Sequence, residues 1–81
     1  MTEMQVAQFV DTRGMLCPMP IVLANRAMKT LQVGEVMKVL ATDKGALKDF
    51  PAWADDTGNE LVLSGEEDGA LVFLIRKGEA D

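Results

Sequence analysis

The segment DTRGMLCPMPIVLANR, from Asp11 to Arg26, holds the chain's only cysteine, Cys17, followed closely by Pro18 and Pro20. The chain has no histidine. A thiol without an imidazole cannot form the Cys-His pair of thiol proteases and acyltransferases, and without a second cysteine there is no CxxC redox pair. One thiol and scattered carboxylates lack metal-ligand spacing, and no glycine-rich phosphate loop is present. No metal or cofactor is therefore expected, and any thiol chemistry rests on Cys17.

The prolines suggest how such a thiol could be activated. Pro18 suits the first position of a helix, which places Cys17 at the N-cap. Pro20 removes another backbone donor, leaving the N–H groups of Met19 and Ile21 at the helix start. Those donors and the positive end of the helix dipole favour a thiolate, or the anion of a persulfide, so a lowered thiol pKa is expected. Arg13 could add positive potential across the Gly14 turn, and Asp11 is expected to shape that turn through backbone bonds. The opposing reading is that Cys17 is a small buried hydrophobe. The constrained helix start favours a functional thiol.

These residues need a scaffold. Gln5 to Asp11 reads as a first strand, with Val6 and Val10 on one side and Ala7 and Phe9 on the other. From Pro18 a helix follows with Ile21, Ala24, Met28 and Leu31 on one stripe, closed by Gly34. Glu35 to Thr42 is apolar on both faces and reads as a central strand. A second helix is expected from about Lys44 to Thr57, capped by Asp43 and Gly58, with Leu47, Phe50, Ala54 and Thr57 on one face; Asp43 could instead face Cys17 from the end of the second strand, but capping alone explains it. Pro51 should kink or restart it. Trp53 reads as core or rim packing. Glu60 to Ser64 and Ala70 to Lys77 read as strands joined by the polar loop GEEDG. The fold class is α+β, a two-layer sandwich in βαβαββ order, with two helices on one face of a mixed four-stranded sheet. The strand order stays open.

Composition bounds the partners. The chain has 81 residues, enough for one small domain over positions 1–81, and 48 % of them are hydrophobic. Its longest apolar stretch, Met15 to Ala24, is interrupted by prolines and too short to span a bilayer. The start MTEMQ places an acid where a signal peptide carries positive charge, and a cytoplasmic location is expected. Net charge is −5. Residues 1–42 carry four bases and three acids, and residues 43–81 four bases and ten acids. Such a chain repels polyanions, so direct nucleic-acid binding is not expected. Met15, Leu16 and Met19 flank the thiol and, if exposed, would form an adaptable apolar collar for docking protein partners. Such contacts suit a monomer that meets its partners transiently.

DTRGMLCPMPIV resembles the N-terminal signature of the TusA/SirA/YedF sulfur-carrier family, an Asp, a Gly-containing turn and a Cys-Pro-x-Pro motif in that order. GEVMKVLATDKGALKDFPAWADDTGNEL and FLIRKG are similar to that family's second strand, Thr-Asp turn, Asp-x-Pro helix, Thr-Gly-x-x-Leu exit and last strand. Met15 stands where leucine is usual, a swap of similar volume. The resemblance implies a persulfide relay rather than a stand-alone enzyme. The cysteine matching Cys17 would accept sulfane sulfur from a cysteine desulfurase or a rhodanese and pass it to an acceptor protein. The processes served would be tRNA 2-thiouridine formation, molybdenum-cofactor assembly or sulfur oxidation. The alternative is a thiol redox sensor or regulatory interaction protein acting through Cys17.

Overall fold

A computed structural model describes residues 5–79. It contains β1 (Val6–Thr12), α1 (Met19–Met28), β2 (Val36–Ala41), α2 (Ala46–Thr57), β3 (Glu60–Glu67) and β4 (Ala70–Arg76). The sheet order is β1-β2-β4-β3, with β1 parallel to β2 and β4 antiparallel to both β2 and β3. This is the expected α+β sandwich. β2 and β4 take the centre because they are the strands apolar on both faces: Val36, Met37, Val39, Leu40 and Ala41 of β2 are buried, as are Val72, Phe73 and Ile75 of β4.

Cross-strand pairing puts Met37 opposite Ile75 and Val39 opposite Phe73 on the face that the helices cover. Ala24, Ala27 and Met28 of α1 and Ala46, Phe50, Trp53 and Ala54 of α2 complete that core. Phe50 stacks on Phe73 with centroids 4.6 Å apart, and Trp53 meets Phe50 edge-on at 5.9 Å. Trp53 Nε1 donates to Asn25 Oδ1 at 3.4 Å, which ties α2 to α1. No helix among the described residues is long and apolar enough to cross a membrane.

Several element details differ from expectation. A register shift between Val6 and Gln8 sets Val6 opposite Val36, on the same face as Phe9 rather than with Val10. α1 ends at Met28, well before Gly34. Tighter bonds from the N–H groups of Thr30 to Ala27 O and Leu31 to Met28 O follow it, which keeps Leu31 buried and explains why the apolar spacing runs past the helix. α2 begins at Ala46 with Gly45 at its N-cap, so Asp43 is not the cap residue. Leu47 is half exposed, and the buried stripe is Ala46, Phe50, Trp53 and Ala54. Pro51 lies inside one helix without a restart. Pro51 and Leu47, whose carbonyl loses its partner, are both exposed, so solvent can replace the missing bond.

The GEEDG segment is mostly strand. β3 continues through Glu67 and only Asp68 and Gly69 turn the chain, with φ of 52° and 82°. Two successive positive φ values are what a two-residue I′ hairpin requires. Glu67 then pairs with Lys38 at 3.0 Å. At the other end of the sheet, Gly34 N–H donates to Lys77 O, Lys77 N–H to Glu35 O, and Gly78 N–H to Asn59 Oδ1. A Cβ on Gly78 would collide with the backbone oxygen of Gly58, so only glycine fits there.

The aromatic stack makes Phe50 the most costly core side chain to truncate. Phe50→Ala should lower stability by about 3–5 kcal/mol in urea unfolding; a loss under about 1 kcal/mol would contradict this account of the core.

Candidate functional site

Cys17 stands where two loops meet at the carboxyl ends of the parallel pair β1 and β2. Thr12, the last residue of β1, is fully buried, and its Oγ1 donates to Leu40 O at 2.6 Å. This bond fixes the departure of the β1–α1 loop. Met15 N–H donates to Thr12 O at 3.1 Å across a turn in which Gly14 has φ of 83°. A side chain there would be strained by the backbone even though the space is open. Gly14 N–H donates to Thr42 Oγ1 at 2.9 Å, which joins the turn to the end of β2.

Asp11 and Arg13 pair with each other. Asp11 Oδ1 accepts from Arg13 N–H at 3.1 Å and from Nε at 2.9 Å, while Nη2 reaches Oδ2 at 2.8 Å. The guanidinium, first by hydrogen bonding, holds the Asp11 carboxyl down at about 2 and is itself raised by the carboxylate. Asp11 thus makes the backbone bond expected of a turn former. Arg13 is forked onto Asp11 rather than onto the thiol, and the carboxylate offsets its positive charge.

The start of α1 also differs from expectation. Met19 N–H donates to Leu16 O at 2.9 Å, so Cys17 and Pro18 are the middle of a turn and not yet helix. The Cys17–Pro18 peptide bond is cis. Pro18 is the N-cap, with φ −97° and ψ 13°, and Val22 N–H donates to its carbonyl. Met19 and Pro20 are the first two helical residues. Cys17 therefore lies one position before the cap, and the Met19 donor expected to face the sulfur is already taken.

What faces the sulfur is carboxylate. Cys17 N–H donates to Asp43 Oδ2 at 2.8 Å, and Asp43 Oδ1 accepts from Gly45 N–H at 3.2 Å. Cys17 Sγ donates to Asp49 Oδ2 at 2.8 Å. The Asp49 hydrogen bond, then desolvation, then the charges of Asp49 and Asp43 push the thiol above its ordinary value. The expected lowering is overturned, because two nearby anions outweigh a dipole whose first donor is occupied. The two N–H groups that Asp43 accepts hold its own carboxyl down.

Cys17 is exposed, as are Met15, Leu16 at 73 %, Met19, Val22 and Leu47. Met15, Leu16 and Met19, which flank Cys17 in sequence, thus leave an exposed apolar rim beside the thiol. Pro20 is buried and Pro18 exposed. Asp49 meets the thiol from a distant stretch of the chain, and Asp43, rather than capping α2 itself, accepts from both Cys17 N–H and Gly45 N–H. The DFP segment containing Asp49 was the only local signal. Among the described residues no three His, Cys, Asp or Glu side chains group as a metal site requires.

The family model described as "Sulfurtransferase TusA" matches residues 8–77. The chain belongs to this family. It is 47 % identical over 70 residues to "Sulfur carrier protein TusA" of Allochromatium vinosum, covering 86 % of this chain and 92 % of that one. It is also similar to the crystal structure of a SirA-like protein from Desulfitobacterium hafniense. That match has a TM-score of 0.77 and 26 % identity, and covers 89 % of this chain and 99 % of the other. TusA-family membership fits the fold, whose parallel β1–β2 pair presents the Cys-Pro-x-Pro turn at its carboxyl end.

The Asp11–Arg13 pair can be tested by titration. Asp11 has a lowered folded pKa, so its contribution to stability is present above the unfolded value near about 4 and fades as pH falls towards 2. Carboxyl-carbon NMR should place the Asp11 midpoint near 2, and Arg13→Gln should return it towards about 4. A midpoint unmoved by the substitution would show that the guanidinium is not the cause.

Proposed function

We propose that the protein is a sulfur carrier in which Cys17 receives sulfane sulfur as a persulfide and hands it to an acceptor protein. The observation that carries this reading is a solitary, exposed thiol within an exposed apolar rim, in a chain of the TusA family. The sulfur carrier of Allochromatium vinosum supports it through nearly full-length similarity. Cys17, held by the Asp11–Gly14 turn and the two prolines, is the residue that reacts.

The chemistry needs no cofactor. The Cys17 sulfur attacks the outer sulfur of a donor persulfide; a new Sγ–S bond forms as the donor's S–S bond breaks, and the donor leaves as a thiol. The proton lost by Cys17 ends on that thiol, so the exchange is redox-neutral. An acceptor cysteine repeats the step on the terminal sulfur of Cys17. Speed depends on the thiolate fraction of the attacking sulfur, on access and on which sulfur is attacked; the exposed position favours access. Met15, Leu16 and Met19 supply a soft apolar contact that can adapt to a donor and to an acceptor in turn. A cysteine desulfurase or a rhodanese fits the donor role. Acceptors in tRNA thiolation, molybdenum-cofactor assembly or sulfur oxidation fit the other end.

Intact-protein mass after incubation with a cysteine desulfurase and cysteine tests the reading. Wild type should gain one sulfur atom that reductant removes, and Cys17→Ser should gain none. No gain with this pair or with a rhodanese and thiosulfate would overturn it.

A further inference from the structure

The contact between Cys17 and Asp49 is unusual for a thiol that must react. Reactive cysteines ordinarily sit in electropositive surroundings, where the thiolate is favoured. Here Sγ donates to Asp49 Oδ2 at 2.8 Å, and the amide of the same residue donates to Asp43 Oδ2 at 2.8 Å. The β1–α1 loop offers one cation nearby in sequence, Arg13, and its guanidinium is forked onto Asp11. Asp49 lies in the first turn of α2 and Asp43 in the loop before it, so both anions come from the element packed against the thiol's loop. The sulfur is thereby placed to keep its proton.

We propose that Asp49 is a positioning residue that locks the empty carrier's Cys17 as a protonated thiol turned towards α2. The lock deepens the carrier reading and rests on it for its purpose, though not for its physics. A neutral thiol is a poor nucleophile towards disulfides, persulfides, alkylating agents and peroxide alike, so the empty carrier resists unintended modification and loading requires the Asp49 contact to open. Loading changes the contact. Once Sγ is bonded to a second sulfur it carries no proton, so the donor half of the Asp49 hydrogen bond no longer exists. The carboxylate then repels an anionic terminal sulfur instead of holding it. The same side chain therefore acts oppositely on the empty and the loaded forms.

The test is the pH dependence of Cys17 alkylation by iodoacetamide in the reduced, unloaded protein. Wild type should show an inflection above about 8.5, the value of a free cysteine. Asp49→Asn removes the anion and offers an amide donor, so its inflection should fall below that of wild type. Its rate at pH 7 should rise by roughly three- to tenfold, the change expected when the thiolate fraction follows the pKa. Asp55→Asn, the same charge change on an exposed position of α2, should leave the profile as in wild type. Near-ultraviolet dichroism of Trp53 checks that each variant is folded. A wild-type inflection at or below about 8.5 would overturn the lock without any variant, and so would coincident profiles for wild type and folded Asp49→Asn. Sulfur loading followed by mass on the same preparations separates the two ideas: absent loading with the expected profiles removes the carrier reading and leaves the lock intact.

Discussion

The parallel pairing of β1 with β2 is the constraint on which the site depends. In register, Asp11 lies opposite Leu40 and Thr12 opposite Ala41, and the buried Thr12 hydroxyl is anchored on Leu40 O. Two parallel neighbours end at the same side of the sheet, so the loops that follow them leave from one edge. One loop carries Cys17 and the other leads to Asp43 and Asp49. The short bonds from Gly14 to Thr42 and from Cys17 to Asp43 stitch the loops together. Without that pairing the thiol would be a residue on a tether with no fixed surroundings.

Much of the architecture was legible because hydrophobic spacing is local. The doubly apolar run of Val36 to Ala41 announced a central strand, and Phe50 and Ala54 announced the buried side of α2. Strand order was not legible, since β2 and β4 are both apolar on two faces and nothing in either names its neighbours. The hairpin is shorter than its composition suggests. Gly65, Glu66 and Glu67 look like loop, but they belong to an edge strand, where charge is tolerated and blunts unwanted pairing.

The candidate site divides in the same way. The turn from Asp11 to Gly14 and the proline pair were visible because their geometry is written within a few residues. Asp49 was hidden because it meets Cys17 across 32 positions of sequence. The backbone donors, the helix dipole and Arg13, all close in sequence, point to a thiolate, whereas the carboxylates that reverse the sign lie far along the chain. A helix dipole is a partial charge, whereas a carboxylate at hydrogen-bond distance is a full one. The expected role of Arg13 failed through competition, with Asp11 two residues away offering both carboxylate oxygens to its planar fork.

The clasp around Gly78 lies at the opposite pole from this chemistry. Val36, which opens β2, pairs with Arg76, which closes β4, whereas the thiol's loop leaves beyond Ala41. Lys77 and Gly78 are held there by Glu35, Gly34, Leu31 and Asn59. The molecule is therefore polar in the geometric sense, with a reactive cap and an inert base. A dye or a bead anchored on the base, at the exposed Glu79, would leave the cap free to meet other proteins.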